Sequence, residues 1–281
     1  LPGISGSTYS PLSNIAKARN TGIEFNIGWR ENRGDFSYDL SLIGTTLKNK
    51  VVSVNQNLPP LENGANVTKV GYPIGGFWGY EVLGIYQNKQ IIEETASIDG
   101  ATPGDLWYKD QNGDGVIDAN DRTSLGYPTV PEILYGFGAS VNYKRWDFSF
   151  FFQGTARVSL RMYDMHPFRD NQYSGFNMTQ YVADDHWSEA DPNPNAAYPR
   201  LDYRYNANNT QTSSFWVKNG SYLRLKSVEL GFTYKSLRAY LAGTNLFIIS
   251  PFKYWDPEMG SGNGLKYPLQ RVVKLGLQYN F

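Results

Sequence analysis

The chain has 281 residues, enough for one large domain or two small ones, and its 26 basic and 26 acidic side chains cancel to a formal charge of zero. That balance supplies no basic face for nucleic acid, and the absence of cysteine excludes a disulfide scaffold and a thiolate metal site. Aromatics reach 15%, and no apolar run approaches the roughly 20 residues of a membrane helix. A water-soluble β-protein and a membrane barrel both remain, since a barrel strand needs an apolar residue only at every second position. Leu1 is not an initiating methionine and the chain opens in loop-like composition, so it reads as a piece of a longer polypeptide.

Two alternating segments come first. Gly22 to Arg30 sets Ile23, Phe25, Ile27 and Trp29 against Glu24, Asn26 and Arg30. Asp35 to Thr46 sets Phe36, Tyr38, Leu40 and Leu42 against Ser37, Asp39 and Ser41. Glu31-Asn-Arg-Gly34 between them reads as a tight hairpin.

A long loop, residues 48–131, follows. Within it, Asp110-Gln-Asn-Gly-Asp-Gly-Val-Ile-Asp-Ala-Asn-Asp121 fits a twelve-residue calcium loop. Asp110, Asn112, Asp114 and Asp118 supply side-chain oxygens, Val116 a carbonyl, and Asp121 closes the loop. Calcium takes six to eight hard oxygens from a flexible shell, which this spacing provides. Position twelve is Asp rather than Glu and no long helix flanks the site, so a structural clip of dockerin-like type is expected, not a sensor. The alternative is a metal-free turn rich in Asn, Asp and Gly.

Ile133 to Lys144 and Arg145 to Gln153 form the third and fourth segments, joined tightly at Lys144-Arg145. Phe151 breaks the alternation of the fourth. In the next loop, Asp184, Asp185 and Glu189 gather near His186 and Trp187. Paired carboxylates can serve glycoside hydrolysis. Here Asn177-Met-Thr-Gln180 resembles a capping-box start, and a short polar helix with a solvated acidic face is expected instead. His166 and His186 are too few and too far apart for a histidine metal site. Loop aromatics (Trp78, Tyr80, Trp107, Tyr163, Tyr173, Phe176, Trp187, Trp216 and Trp255) could pack or stack on cargo.

The fifth segment, Ser227 to Tyr234, alternates well, but Leu223 and Leu225 fall on the opposite parity, which a bulge would explain. Arg238 to Ile248 alternates poorly and is kept as the sixth for its β-prone composition. Lys235-Ser-Leu237 makes the turn between them. The seventh sets Val273, Leu275, Leu277, Tyr279 and Phe281 against Lys274, Gly276, Gln278 and Asn280. A terminal Phe281 on such a strand resembles the assembly signal of bacterial outer-membrane barrels.

Short and long connections alternate strictly, as in an outer-membrane barrel with short periplasmic turns and long extracellular loops. Loops beyond about 15 residues are uncommon in compact soluble domains. Trp29, Tyr143, Trp146 and Tyr234 then stand beside the short turns, where an aromatic girdle belongs. The expected fold is all-β, a transmembrane antiparallel β-barrel portion occupying residues 1–281.

Several blocks resemble the SusC/RagA family of TonB-dependent transporters. They are Asn20 to Glu24, Asn193 to Leu201, Ser214 to Tyr234, Gly243 to Phe247 and Asp256-Pro-Glu258. The resemblance implies a bacterial outer-membrane location, a 22-stranded barrel around an N-terminal plug, and here its last seven strands. It implies a TonB-dependent nutrient importer, not an enzyme, that takes up glycans or oligopeptides under a SusD-like surface lipoprotein. The other implied partners are TonB, the remainder of the barrel and outer-membrane lipid. Acidic loops like 110–121 are frequent in this family. Ligand-binding residues are not assigned; Glu24, Asn26, Asp39 and Asn142 would face the lumen and could line a path, while the resemblance implies that most of the lumen face packs against the plug. The competing class is a secreted β-sandwich binding module with a dockerin-like calcium loop.

Overall fold

The computed structural model describes residues 16–54, 61–165, 167–168, 177–202 and 204–281. Period-two segments become one antiparallel meander of seven long strands. These are β1 (Ala16–Arg33), β2 (Phe36–Val54), β3 (Ile133–Tyr143), β4 (Trp146–Ala156), β5 (Tyr222–Tyr234), β6 (Leu237–Thr244) and β7 (Val272–Tyr279), paired in chain order. Two-residue turns join β1 to β2, β3 to β4 and β5 to β6, with Gly34, Lys144 and Lys235 at φ of 61°, 53° and 54°.

Register keeps the two faces distinct across every strand. One row runs Trp29, Leu40, Ala139, Phe150, Val228, Gly243, Val273. The neighbouring row, on the other face, runs Arg30, Asp39, Ser140, Ser149, Glu229, Ala242, Lys274. A shift of one residue would interchange the faces.

The described residues leave most of the apolar face uncovered. Leu230 and Leu241 lie on strands paired on both sides, yet they are 44% and 52% exposed. Exposed apolar surface costs about 25 cal/mol per Å² in water, so this face calls for a lipid solvent. Trp29, Tyr143, Trp146 and Tyr234 are all exposed on it beside the short turns. Phe36 and Phe232 join the belt through the register Phe36–Tyr143–Trp146–Phe232. Arg145 and Lys235 lie over the Tyr234 ring at 5.0 and 5.6 Å, placing cations at the rim of the belt.

Most of the buried core lies instead in the long loops. One cluster holds Leu160, Met162, Phe168, Val182, Tyr198, Trp216 and Phe252; another holds Tyr80, Ile85, Leu106, Tyr108, Ile117 and Trp187; a third holds Ala65, Phe77 and Leu125. Short pairings such as Val82–Ile85 with Leu106–Tyr108, and Ser159–Arg161 with Val217–Asn219, frame this cap.

Three details depart from the sequence expectation. β2 continues to Val54, so the loop expected at 48–131 begins later; Val51 is buried there by reciprocal backbone bonds with Gly71 and Tyr72. The parity switch before Ser227 is a bulge: Phe151 faces Ser227 and Phe152 faces Leu225, leaving Lys226 as the extra residue. The sixth strand ends at Thr244, not Ile248. Asn245 turns at φ 54°, and Ile248–Ile249 instead pairs with the upper end of β5.

Candidate functional site

The polar face of the sheet is knitted by charged pairs between neighbouring strands. Arg30 donates from Nε to Asp39 at 2.8 Å. Arg238 on β6 donates to Asp147 on β4 at 3.1 Å and to Glu229 on β5 at 2.5 Å, spanning three strands. Asn142 Nδ2 donates to Ser37 Oγ at 3.3 Å. Glu24, Asn26, Asp39 and Asn142 all share this face, as their parity predicts. Asp39 and Asn142 are engaged with neighbouring strands, whereas Glu24 and Asn26 border a hollow of about 390 Å³.

Above the sheet, the first two long loops are joined through Asp105. Its buried carboxylate accepts from Arg200 Nε at 2.7 Å, from Asn206 and Asn209 side chains at 2.9 Å each, and from the Thr102 amide at 2.9 Å. Asn209 in turn accepts from the Leu106 amide at 2.8 Å, and Tyr108 donates to the Asn208 carbonyl at 2.6 Å. A buried carboxylate is tolerated only with such compensation. The third loop is tied down separately. Arg224 on β5 reaches Asp256 and Glu258, and Lys226 donates to Glu258 at 3.0 Å. Burial opposes the charge on Glu258, but Lys226, Tyr222 and Arg224 outweigh it and hold the carboxyl below its ordinary range. Reciprocal backbone bonds of Arg161 and Tyr163 with Gly262 fasten the second loop to the third.

The 110–121 segment forms a tight acidic loop. Asp110 accepts from the Gly113 and Gly115 amides at 2.7 and 2.8 Å, and chiefly the Gly115 bond lowers its pKa. Gly113 and Gly115 take φ of 76° and 84°, which side chains resist. Asn112 and Asp114 accept from the amides of Asp114 and Val116, and Asp118 accepts from that of Asn120. Asp121 is fully buried and bridges Gln111 N and Asp118 N at 2.9 and 2.8 Å. Oxygen-rich donors are therefore close in chain, but among the described residues no three His, Asp or Glu side chains converge on one metal position. The donor chemistry suits calcium if Asn112 and the Val116 carbonyl complete the set.

The other sequence candidates separate. Asp184 accepts from Gln180 at 2.5 Å and Asp185 from the Ala197 amide at 3.1 Å, so both carboxylates brace the loop. Gln180–Asp184 is a five-residue helix whose N-cap, Thr179, makes no side-chain cap bond; the expected capping box does not form because the Gln180 side chain is bound to Asp184. Trp187 is buried and donates to Gln87 at 3.1 Å. Tyr80 and Trp216 are core, Trp107 lies against Tyr86, Trp78 carries Lys69, and Trp255 donates to the Gly260 carbonyl. Tyr163 is exposed. His166, Tyr173 and Phe176 lie outside the described residues.

No protein-family model matches the chain. Individual proteins do. The chain is 31% identical, over 97% of its length, to TonB-dependent receptor P26 of Formosa agariphila and 28% identical, over 100%, to receptor P3 of the same organism. It is 26% identical over 95% of its length to TonB-dependent receptor SusC of Bacteroides thetaiotaomicron. A solved structure of the RagAB peptide transporter superposes with a TM-score of 0.76 at 20% identity, covering all of this chain and 31% of that one. Over nearly its whole length the chain is thus homologous to one part of TonB-dependent receptors. It spans about 30% of the length of the first two relatives.

TonB-dependent receptors such as these are proteins of the bacterial outer membrane, and the uncovered apolar face of the sheet is the physical counterpart of that location. The receptor-like sequence blocks also acquire a structural meaning. Asp256-Pro-Glu258 supplies the carboxylates that hold Arg224 and Lys226, which lie in the block Ser214 to Tyr234. Arg200, in the block Asn193 to Leu201, is the cation on Asp105. Asp105 itself belongs to no block, and sequence reasoning did not find it. Its partners in the second loop lie 95 to 104 residues away, and such distant pairing leaves no local pattern.

Proposed function

We propose that the receptor containing this chain imports nutrients, glycans or oligopeptides, across the outer membrane in the manner of SusC- and RagA-type transporters. One observation carries this reading. A seven-strand wall shows an uncovered apolar face, while the described parts of three long loops are joined into one cap at the end away from the short turns. Such a cap offers a surface on which a SusD-like lipoprotein can close. TonB would act elsewhere on the receptor. No covalent chemistry is required; transport needs a binding cavity and a displaceable plug.

Detergent extraction of the source outer membrane, with identification of what co-migrates with the receptor, tests this. Co-migration with a surface lipoprotein, and loss of glycan or peptide uptake when the receptor is deleted, is the expected result. A receptor that purifies alone and whose deletion leaves uptake intact would overturn it.

We also propose that Asp110, Asn112, Asp114, Val116, Asp118 and Asp121 hold calcium. The ion would serve as a structural clip. Lys109 and Gln111 beside it bind Glu81, and Arg122 lies 5.6 Å from the Tyr80 ring, so order in the clip passes to a core cluster of the cap.

A further inference from the structure

We propose that the hollow on the polar face of β1 to β4 is a sugar-ring subsite with Phe151 as its platform. This rests on the importer reading and narrows its cargo to neutral glycans. Phe151 is the residue that breaks the alternation of β4, and it sits among polar neighbours as an aromatic on the lumen side. It pairs with Gly138, and its ring reaches along β3 to Gly136. A Cβ on Gly136 would lie 2.9 Å from the ring, and one on Gly138 3.1 Å from it. The two glycines are thus the bed on which the ring lies.

The register builds a wall around that bed. One row runs Asn26, Ile43, Gly136, Gln153; the next runs Glu24, Thr45, Leu134. Gly136 has no side chain, and the Phe151 ring and Ile43 close over it, so the hollow opens beside them. The cavity of about 390 Å³ is rimmed by Glu24, Asn26 and Gln153 and walled by Ile43, Leu134 and the half-buried Phe151. An aromatic face accepts the C–H face of a sugar ring. Carboxylate and carboxamide groups pair with adjacent hydroxyls, as acceptors or as both donor and acceptor.

The same rim disfavours the other cargo classes. It contains no Lys or Arg, so nothing there pairs a sulfate, a uronic acid or a peptide carboxylate. Backbone groups under it are consumed by the ladders of β1 to β4, so an extended peptide finds no edge to bind.

The test uses the full-length receptor, purified in detergent. It is titrated with laminarin, starch and xylan oligosaccharides and with a tryptic peptide pool. Phe151→Leu keeps an apolar cover on the glycines but removes the flat face. Asn26→Ala removes one rim group. Heat-modifiable migration on gels reports whether each variant folds. The expected result is binding of at least one neutral oligosaccharide, weakened about tenfold in folded Phe151→Leu and also weakened in Asn26→Ala. Unchanged affinity in folded Phe151→Leu would overturn the subsite. Binding of peptides alone would overturn the sugar assignment and leave the importer standing. If receptor deletion abolishes uptake of neither class, the importer reading fails and the subsite fails with it.

Discussion

Arg224 grips Asp256 with one guanidinium nitrogen placed 2.5 and 2.6 Å from the two carboxylate oxygens. Arg224 is on the wall strand β5 and Asp256 is in the third loop, so this pair joins wall to cap. Arg224 is 2% exposed, and its Nε also reaches Glu258 at 3.2 Å. Charge-assisted hydrogen bonds are roughly twice as strong as neutral ones.

Replacing Arg224 with Met takes the cation from the partly buried Asp256 and leaves Glu258 with Lys226. Removing one partner of a buried pair costs about 3–5 kcal/mol. The expected outcome is a receptor whose barrel still resists unfolding at room temperature but whose residues 250–262 become open to protease. Limited proteolysis followed by mass spectrometry reads this directly.

Acid should mimic that variant. The folded-state pKa of Glu258 is depressed below its ordinary 4.5. Its contribution is therefore fully present above pH 4.5 and is lost as the pH falls through the lower folded value. Protease sensitivity of the third loop should rise below pH 4.5 in the wild type. It should be less pH-dependent in Glu258→Gln.

Asp105→Ala removes the acceptor shared by Arg200, Asn206, Asn209 and Thr102. The stranded donors and the lost charge pair predict a local cost of about 3 kcal/mol or more. Hydrogen–deuterium exchange should accelerate in residues 102–108 and 206–216 together, with the wall strands unchanged. Acceleration in one segment alone would contradict their coupling through Asp105.

The wall was legible in the sequence and the cap was not, for a physical reason. Lipid on one face and polar surroundings on the other impose a period of two on every strand, visible from Ile23 to Trp29 and again from Val273 to Tyr279. The sixth segment was misread at its end because Ala239 and Gly243 dilute the apolar parity and Asn245 turns the chain. The cap folds by distant contacts, such as Tyr108 donating to the Asn208 carbonyl and Trp187 to Gln87 across the loops. Its strands are two to four residues long, too short for periodicity. Phe151 was visible only as an exception; the register that sets it on Gly138 supplied the reason.

Chelation tests the acidic loop. If calcium occupies residues 110–121, EGTA should raise hydrogen exchange there and at Tyr80 and Glu81, and added calcium should reverse it. Asp114→Ala should show the exchange of the chelated wild type without EGTA. Elemental analysis of the purified receptor should find about one calcium per chain at this site. An indifferent exchange pattern would leave the loop held by its Asx turns alone.

The central claim is that the apolar face of the sheet meets lipid. The chain contains no cysteine, so in a receptor cleared of any cysteine elsewhere, single cysteines can be placed along β5 from Ser227 to Tyr234 and spin-labelled within the native membrane. Accessibility to oxygen should peak at Val228, Leu230 and Phe232. Accessibility to a water-soluble nickel chelate should not peak at those sites. Water-like accessibility at all three of these positions would contradict the account.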